Sequence, residues 1–184
     1  LRYNIFLSGE NMRRPSYTAI DYAVLGAIAV AFGIMFAPWW TVYYGLKSAL
    51  GPIPAKLITY GLWFFPAPLA AVILKKPLSA FMGETLAALV ESLIPNAGGF
   101  TNLIYGLAQG AFSEIAFAAG RYKRFGALIS ALSGALAGIP SVLLDAVLYS
   151  SIYPLDYMIY IIIAVMASGA IYGYLAYLVG KVVK

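Results

Sequence analysis

Apolar side chains run through this chain in six long blocks, each broken by a short cluster of glycine, proline or basic residues. A helix rises about 1.5 Å per residue and the hydrocarbon core of a bilayer is roughly 30 Å thick, so some 18 or more apolar residues make a transmembrane helix. The pattern predicts spans over about 19–40, 57–74, 77–94, 100–120, 125–150 and 155–180. No period-two alternation of ten-residue strands is present, which argues against a barrel. The basic residues ahead of the first block give it the look of a signal peptide. The block is too long for one and no cleavage site follows, so it is taken as a true first helix. The expected fold is therefore all-α, a single integral membrane domain over 1–184 made of six helices. Its longest connection, 41–56, contains Gly45, Gly51, Pro52 and Pro54 and is expected to be an irregular or partly helical outer loop.

Composition explains why lipid is needed. Of 184 residues, 62% are hydrophobic and 10% charged, too few charges to clothe a soluble domain of this size. The chain has no cysteine and no histidine. That removes disulfide scaffolds, the usual zinc and haem sites and any Ser-His or Cys-His dyad, so no metal, cofactor or enzymatic activity is expected. A net charge of +5 raises nucleic acid as a partner, but the basic residues are scattered between apolar blocks, which favours the membrane.

The same basic residues orient the bundle. Ten of the twelve fall in one set of alternate segments (Arg2, Arg13, Arg14, Lys75, Lys76, Arg121, Lys123, Arg124, Lys181, Lys184), and Lys47 and Lys56 in the other. By the positive-inside rule both termini are cytoplasmic. Aromatic residues at the opposite ends (Trp39, Trp40, Tyr43, Tyr44, Tyr149, Tyr153, Tyr157) agree, and for Trp39 and Trp40 anchoring at the interface is preferred to ligand stacking.

Ionisable groups inside spans mark pathways or sites by default. Glu84 and Glu91 lie two turns apart on one helical face, with Glu114 on the fourth span and Asp145 on the fifth. The orientation sorts them into an outer layer of Glu91, Asp145, Asn96, Asn102 and Gln109, joined by Tyr60 and Trp63, and an inner layer of Glu84 and Glu114. Carboxylates, amides and aromatic rings together fit a cationic, hydrogen-bonding heterocycle and would repel a phosphorylated anion. The alternative for Glu91 and Asp145 is pairing with Lys47 or Lys56 that merely holds helices together. For the inner pair, a structural or partner-docking role competes equally with a substrate role. Ala19, Ala23, Ala27 and Ala31 form a small-residue stripe along which another helix can approach, and 126–138 and 169–173 carry further small-residue stripes for packing. No GxxxxGK[ST] loop is present, so the chain does not use ATP alone.

Five segments in order carry a family resemblance: YGLWF at 60–64, KKP at 75–77, GETLAALVESL at 83–93, PNAGG at 95–99 and IYGLAQGAFSEIAF at 104–117, followed by LLDAVLYS at 143–150. They resemble the substrate-binding S components of energy-coupling-factor (ECF) vitamin transporters, specifically the YkoE group. The resemblance implies a multi-pass protein of a prokaryotic cytoplasmic membrane that captures thiamine, or its hydroxymethylpyrimidine precursor, from outside. Delivery would require a transmembrane coupling protein and two cytosolic ATPases, with the alanine stripe as docking face. Glu91 is then the principal partner of the pyrimidine or the cation, Trp63 and Tyr60 stack, and Asn102, Gln109 and Asp145 complete the hydrogen bonds. The rival reading is a proton-coupled secondary transporter relaying protons through the four carboxylates. Against it, the chain holds one six-helix unit and no repeated half.

Overall fold

Prolines and glycines decide where the helices begin and end. The structure, a computed structural model, describes residues 16–183; Arg2, Glu10, Arg13, Arg14 and Lys184 lie outside them. Helix α1 (Ala19–Leu50) opens on a capping box in which the Asp21 amide donates to Thr18 Oγ1 (3.3 Å) and the Thr18 amide to Asp21 Oδ2 (2.6 Å). It stops at Gly51, whose φ of 87° lies in the left-handed region that glycine reaches without strain. Pro52 then starts α2 (Pro52–Trp63), and a turn at Phe64 and Phe65 leads to α3 (Pro66–Leu74). The remaining helices are α4 (Ser79–Ser92), α5 (Thr101–Ala119), α6 (Ala127–Leu148) and α7 (Leu155–Val182).

The segment 41–56 is therefore not an outer loop. Ten of its residues finish α1 and the rest, after Gly51, open α2. Gly45 is tolerated inside a helix, and a proline at the first helical position costs nothing because its missing N–H would be unpaired there anyway. The second span starts at Pro52, five residues before its expected start, and breaks where Pro66 and Pro68 withhold their amides. With α2 and α3 taken as one unit, the described residues form six helical units. Four are long and apolar enough to cross a bilayer: Ala19–Leu50, Pro52–Leu74, Ala127–Leu148 and Leu155–Val182. The other two are α4, which is only 14 residues long, and α5, which carries Asn102, Gln109 and Glu114. These two helices bring the carboxyl groups of Glu84, Glu91 and Glu114 to the interior.

Helix α6 packs on α7, α4 on α1 and α5, and α2 on α7. The α6–α7 seam is close because it is made of small residues. A Cβ at Gly134 would stand 2.0 Å from the Gly169 carbonyl oxygen, one at Gly169 would stand 2.1 Å from that of Gly134, and one at Gly173 would meet that of Ser130 at 2.2 Å. Val30, Ile34, Leu128, Ile159 and Ile163 remain exposed on the outside, as a lipid-facing belt requires.

One end of the bundle gathers the start of α1, the 75–78 turn, the 120–126 turn and the end of α7. There Lys76 pairs with Asp21 at 2.5 Å, and the Tyr17 hydroxyl donates to the Pro77 carbonyl at 2.9 Å. Burial pushes the Tyr17 hydroxyl up to about 12, so it remains a donor through the physiological range. The opposite end holds the Gly51 junction, the 93–100 turn and the 149–154 turn, and the candidate site opens towards it.

Candidate functional site

A cavity inside the bundle is lined from five helices and the turn after α2: Phe36 and Trp40 on α1, Tyr60 and Trp63 on α2 with Phe64 after it, Glu84, Ala88 and Glu91 on α4, Asn102, Tyr105 and Gln109 on α5, and Asp145 on α6. Seven residues expected from the sequence thus meet around one space: Tyr60, Trp63, Glu84, Glu91, Asn102, Gln109 and Asp145. The two-turn spacing of Glu84 and Glu91 puts both into it, at 1% and 2% exposure.

Glu91 is held by indoles. Its Oε1 accepts from Trp40 Nε1 (2.9 Å) and Trp63 Nε1 (3.3 Å), while Oε2 has no hydrogen-bond partner among the described residues. The same two rings stand 5.1 Å apart at a tilt, with Phe36, Tyr43 and Tyr60 around them. The result is an aromatic wall with one carboxylate oxygen left over for a guest.

Asp145 is the second centre. Its Oδ1 accepts from the Tyr105 hydroxyl (2.7 Å) and its Oδ2 from the Tyr60 hydroxyl (2.8 Å), and Lys56 pairs with it. Lys56 is only 3% exposed. It is no loop lysine at the rim, since the helical start of α2 carries it one turn inward from Gly51. Glu84 has a structural duty as well, because its Oε2 accepts the Ala67 amide (3.2 Å), an unpaired donor of the first turn of α3 between two prolines. Gln109 Nε2 donates to Ser141 Oγ at 3.0 Å, tying α5 to α6 beside Pro140.

Two expected residues fall elsewhere. Asn96 organises the 93–100 turn: its Oδ1 accepts the Gly98 and Gly99 amides and the Asn102 side chain (2.8, 3.0 and 2.9 Å), and its Nδ2 donates to the Glu91 and Ile94 carbonyls. It supports the cavity without lining it. Glu114 is at the other end, where its carboxylate accepts the Leu78 and Phe81 amides (2.7 and 3.0 Å) and so caps α4. No basic side chain pairs with it among the described residues.

The preference for interfacial anchoring fails for Trp40, which is a wall of the cavity, and Trp39 donates inward to the Thr59 carbonyl at 3.0 Å. Tyr105, Phe36 and Phe64 carry no signal in the sequence as site residues, and Lys56 enters there only as a possible partner of Glu91 or Asp145, a pairing it makes with Asp145. The alanines at 19, 23, 27 and 31 are all exposed and face away from the bundle.

A second, more open cavity adjoins the first on the side of the Gly51 junction, lined by Trp40, Tyr43, Tyr44, Lys47, Lys56, Tyr60, Asp145, Tyr149 and Ser151. Trp40, Tyr60 and Asp145 line both. They stand between an entrance and an inner chamber.

Comparison with known proteins brings the geometry into a family context. Residues 20–140 match the family described as ABC-type cobalt transport system, permease component. Over 171 residues the chain is 29% identical to YkoE of Bacillus subtilis (strain 168), whose name proposes it as an HMP/thiamine permease; the match covers 92% of this chain and 83% of that protein. A crystal structure of an S-component of an ECF transporter superposes with a TM-score of 0.80 at 29% identity, covering 91% of this chain and 84% of that one.

Proposed function

The chain belongs to the ABC-type cobalt transport system permease components and is an S component of an ECF transporter, and on that premise we propose that its cavity binds a pyrimidine vitamin, thiamine or hydroxymethylpyrimidine (HMP). The observation that carries the reading is Glu91, fixed through one oxygen by two indoles and unpartnered at the other among the described residues. A carboxylate oxygen beside an aromatic wall is the receptor an aminopyrimidine needs: the ring stacks and its amino hydrogens find an acceptor. Asn102 and Gln109 line the same chamber with amides. Cobalt, named in the family description, fits this chain less well. The chain has neither histidine nor cysteine, and among the described residues no three carboxylates gather in metal-binding reach.

The test is a titration of the purified protein with thiamine and with HMP, followed by tryptophan fluorescence and calorimetry. Because Trp40 and Trp63 both touch Glu91, either ligand is expected to quench emission at low concentration. Silence in both titrations would overturn the reading.

In this proposal the tyrosine-rich end faces outward and the basic end faces the cytoplasm and the energy-coupling module. The natural absence of cysteine makes this easy to examine. In intact cells Ser151→Cys should react with a membrane-impermeant maleimide and Lys123→Cys only after permeabilisation; the reverse pattern would invert the topology.

Helix α1 turns its alanines outward, and we infer that this stripe is where the coupling protein docks. The backbone of a partner helix can come close only while those side chains stay small. Ala27→Leu is expected to cut ATP-driven uptake at least tenfold with ligand affinity unchanged. Equal loss of affinity and uptake would place the stripe in folding instead.

A further inference from the structure

The aromatic and acidic cage at the entrance of the site already contains a cation. Lys56 Nζ stands 4.0 Å from the Tyr60 ring centroid and 5.8 Å from that of Tyr43, donates to the Tyr60 hydroxyl, and pairs with Asp145. π-faces with a carboxylate are the means by which proteins hold an organic cation, and here a tethered ammonium fills them. It does so between the two cavities, since Lys56 lines the outer one while its partners Tyr60 and Asp145 line both. Beyond it, the inner chamber holds Glu84 and Glu91 and, among the described residues, no basic side chain.

Resting on the pyrimidine reading above, we propose that Lys56 sets the specificity of this site by discriminating against a fixed positive charge at the entrance side of the ligand. Thiamine and HMP share the aminopyrimidine end and differ at the other, where thiamine carries a thiazolium and HMP a neutral hydroxymethyl group. With the pyrimidine against Glu91, the thiazolium is brought towards the cage that Lys56 occupies. It meets a like charge there and binds only by displacing an ammonium from a buried ion pair. HMP asks for no such displacement. Lys47 reinforces the bias, as its ammonium lies 5.8 and 6.0 Å from the Tyr43 and Tyr44 rings on the wall of the outer cavity. Asp145 does not offset this, because its charge is matched by Lys56.

The experiment compares thiamine, its neutral thiophene isostere and HMP by calorimetry on the wild-type protein and on Lys56→Met, Lys56→Gln and Lys56→Arg. Wild type is expected to bind the neutral isostere at least tenfold more tightly than thiamine, a comparison that needs no variant to fold. Met or Gln should erase or invert that preference, and Arg, which keeps the charge, should retain it. Equal affinity of wild type for thiamine and its isostere would overturn the proposal, as would Met or Gln variants that weaken all three ligands by one factor. Those outcomes leave the pyrimidine reading intact. Wild type that binds none of the three would remove that reading and this inference together.

Discussion

Glu91→Gln should weaken binding of either pyrimidine ligand by about ten- to hundredfold, with the fold undisturbed. Gln is the same size and keeps an oxygen for the indole N–H groups of Trp40 and Trp63, so the wall of the cavity has no reason to move. What changes is the atom that faces the ligand. The free carboxyl oxygen gives way to an amide, and if the amide oxygen stays with the indoles, its NH₂ meets the ligand's own amino group, donor against donor. Hydrogen bonds to charged groups contribute about 1.5–3 kcal/mol, and about 1.4 kcal/mol corresponds to tenfold in affinity, which gives the stated range. Trp40→Phe is the informative companion: it removes one of two donors to Oε1 but not the charge, and the expected loss is smaller. Calorimetry on the three proteins decides this. An affinity of Glu91→Gln within twofold of wild type would remove Glu91 from ligand recognition.

That residue was accessible from sequence because its signal is local. Glu84 and Glu91 sit on one helix, and helical periodicity alone puts them on one face and inside. Tyr60, Trp63, Asn102, Gln109 and Asp145 were legible for a related reason, as polar or amphipathic groups on spans whose depth follows from the direction of each helix. Lys56 was not. Its neighbours Gly51, Pro52 and Pro54 look like loop punctuation, yet prolines at the start of a helix are compatible with it, and the left-handed Gly51 compresses the break to one residue. Trp40 was missed through the same error, since a first helix ending at 40 leaves it at the water interface, whereas one that continues to Leu50 keeps it among neighbours. Tyr105 is one of 15 tyrosines, and nothing in its spacing says that its hydroxyl meets Asp145. Asn96 and Glu114 show the opposite limit. Both carry the polar chemistry of a site, but each is engaged by backbone amides that sequence leaves unassigned, in the 93–100 turn and at the head of α4.

Around Asp145 the larger expected effect is on stability. Asp145→Ala strands the Lys56 ammonium at 3% exposure with the Tyr60 hydroxyl as its remaining hydrogen-bond partner, and breaking a buried pair from one side costs about 3–5 kcal/mol. The opposite truncation is milder. In Lys56→Met the carboxylate keeps two donors, the Tyr60 and Tyr105 hydroxyls on different oxygens, so the charge left behind is still solvated by protein. The two losses are also coupled. Once Lys56 is gone, removing Asp145 no longer strands a cation, so Lys56→Met/Asp145→Ala should be more stable than Asp145→Ala alone. Thermal unfolding in detergent of the single and double variants measures the coupling directly. If the double variant loses the sum of the single losses, the ion pair is not the element joining α2 to α6. If the coupling is large, the same lysine that guards the entrance also holds it together, and a ligand that displaces Lys56 leaves Asp145 to the Tyr60 and Tyr105 hydroxyls.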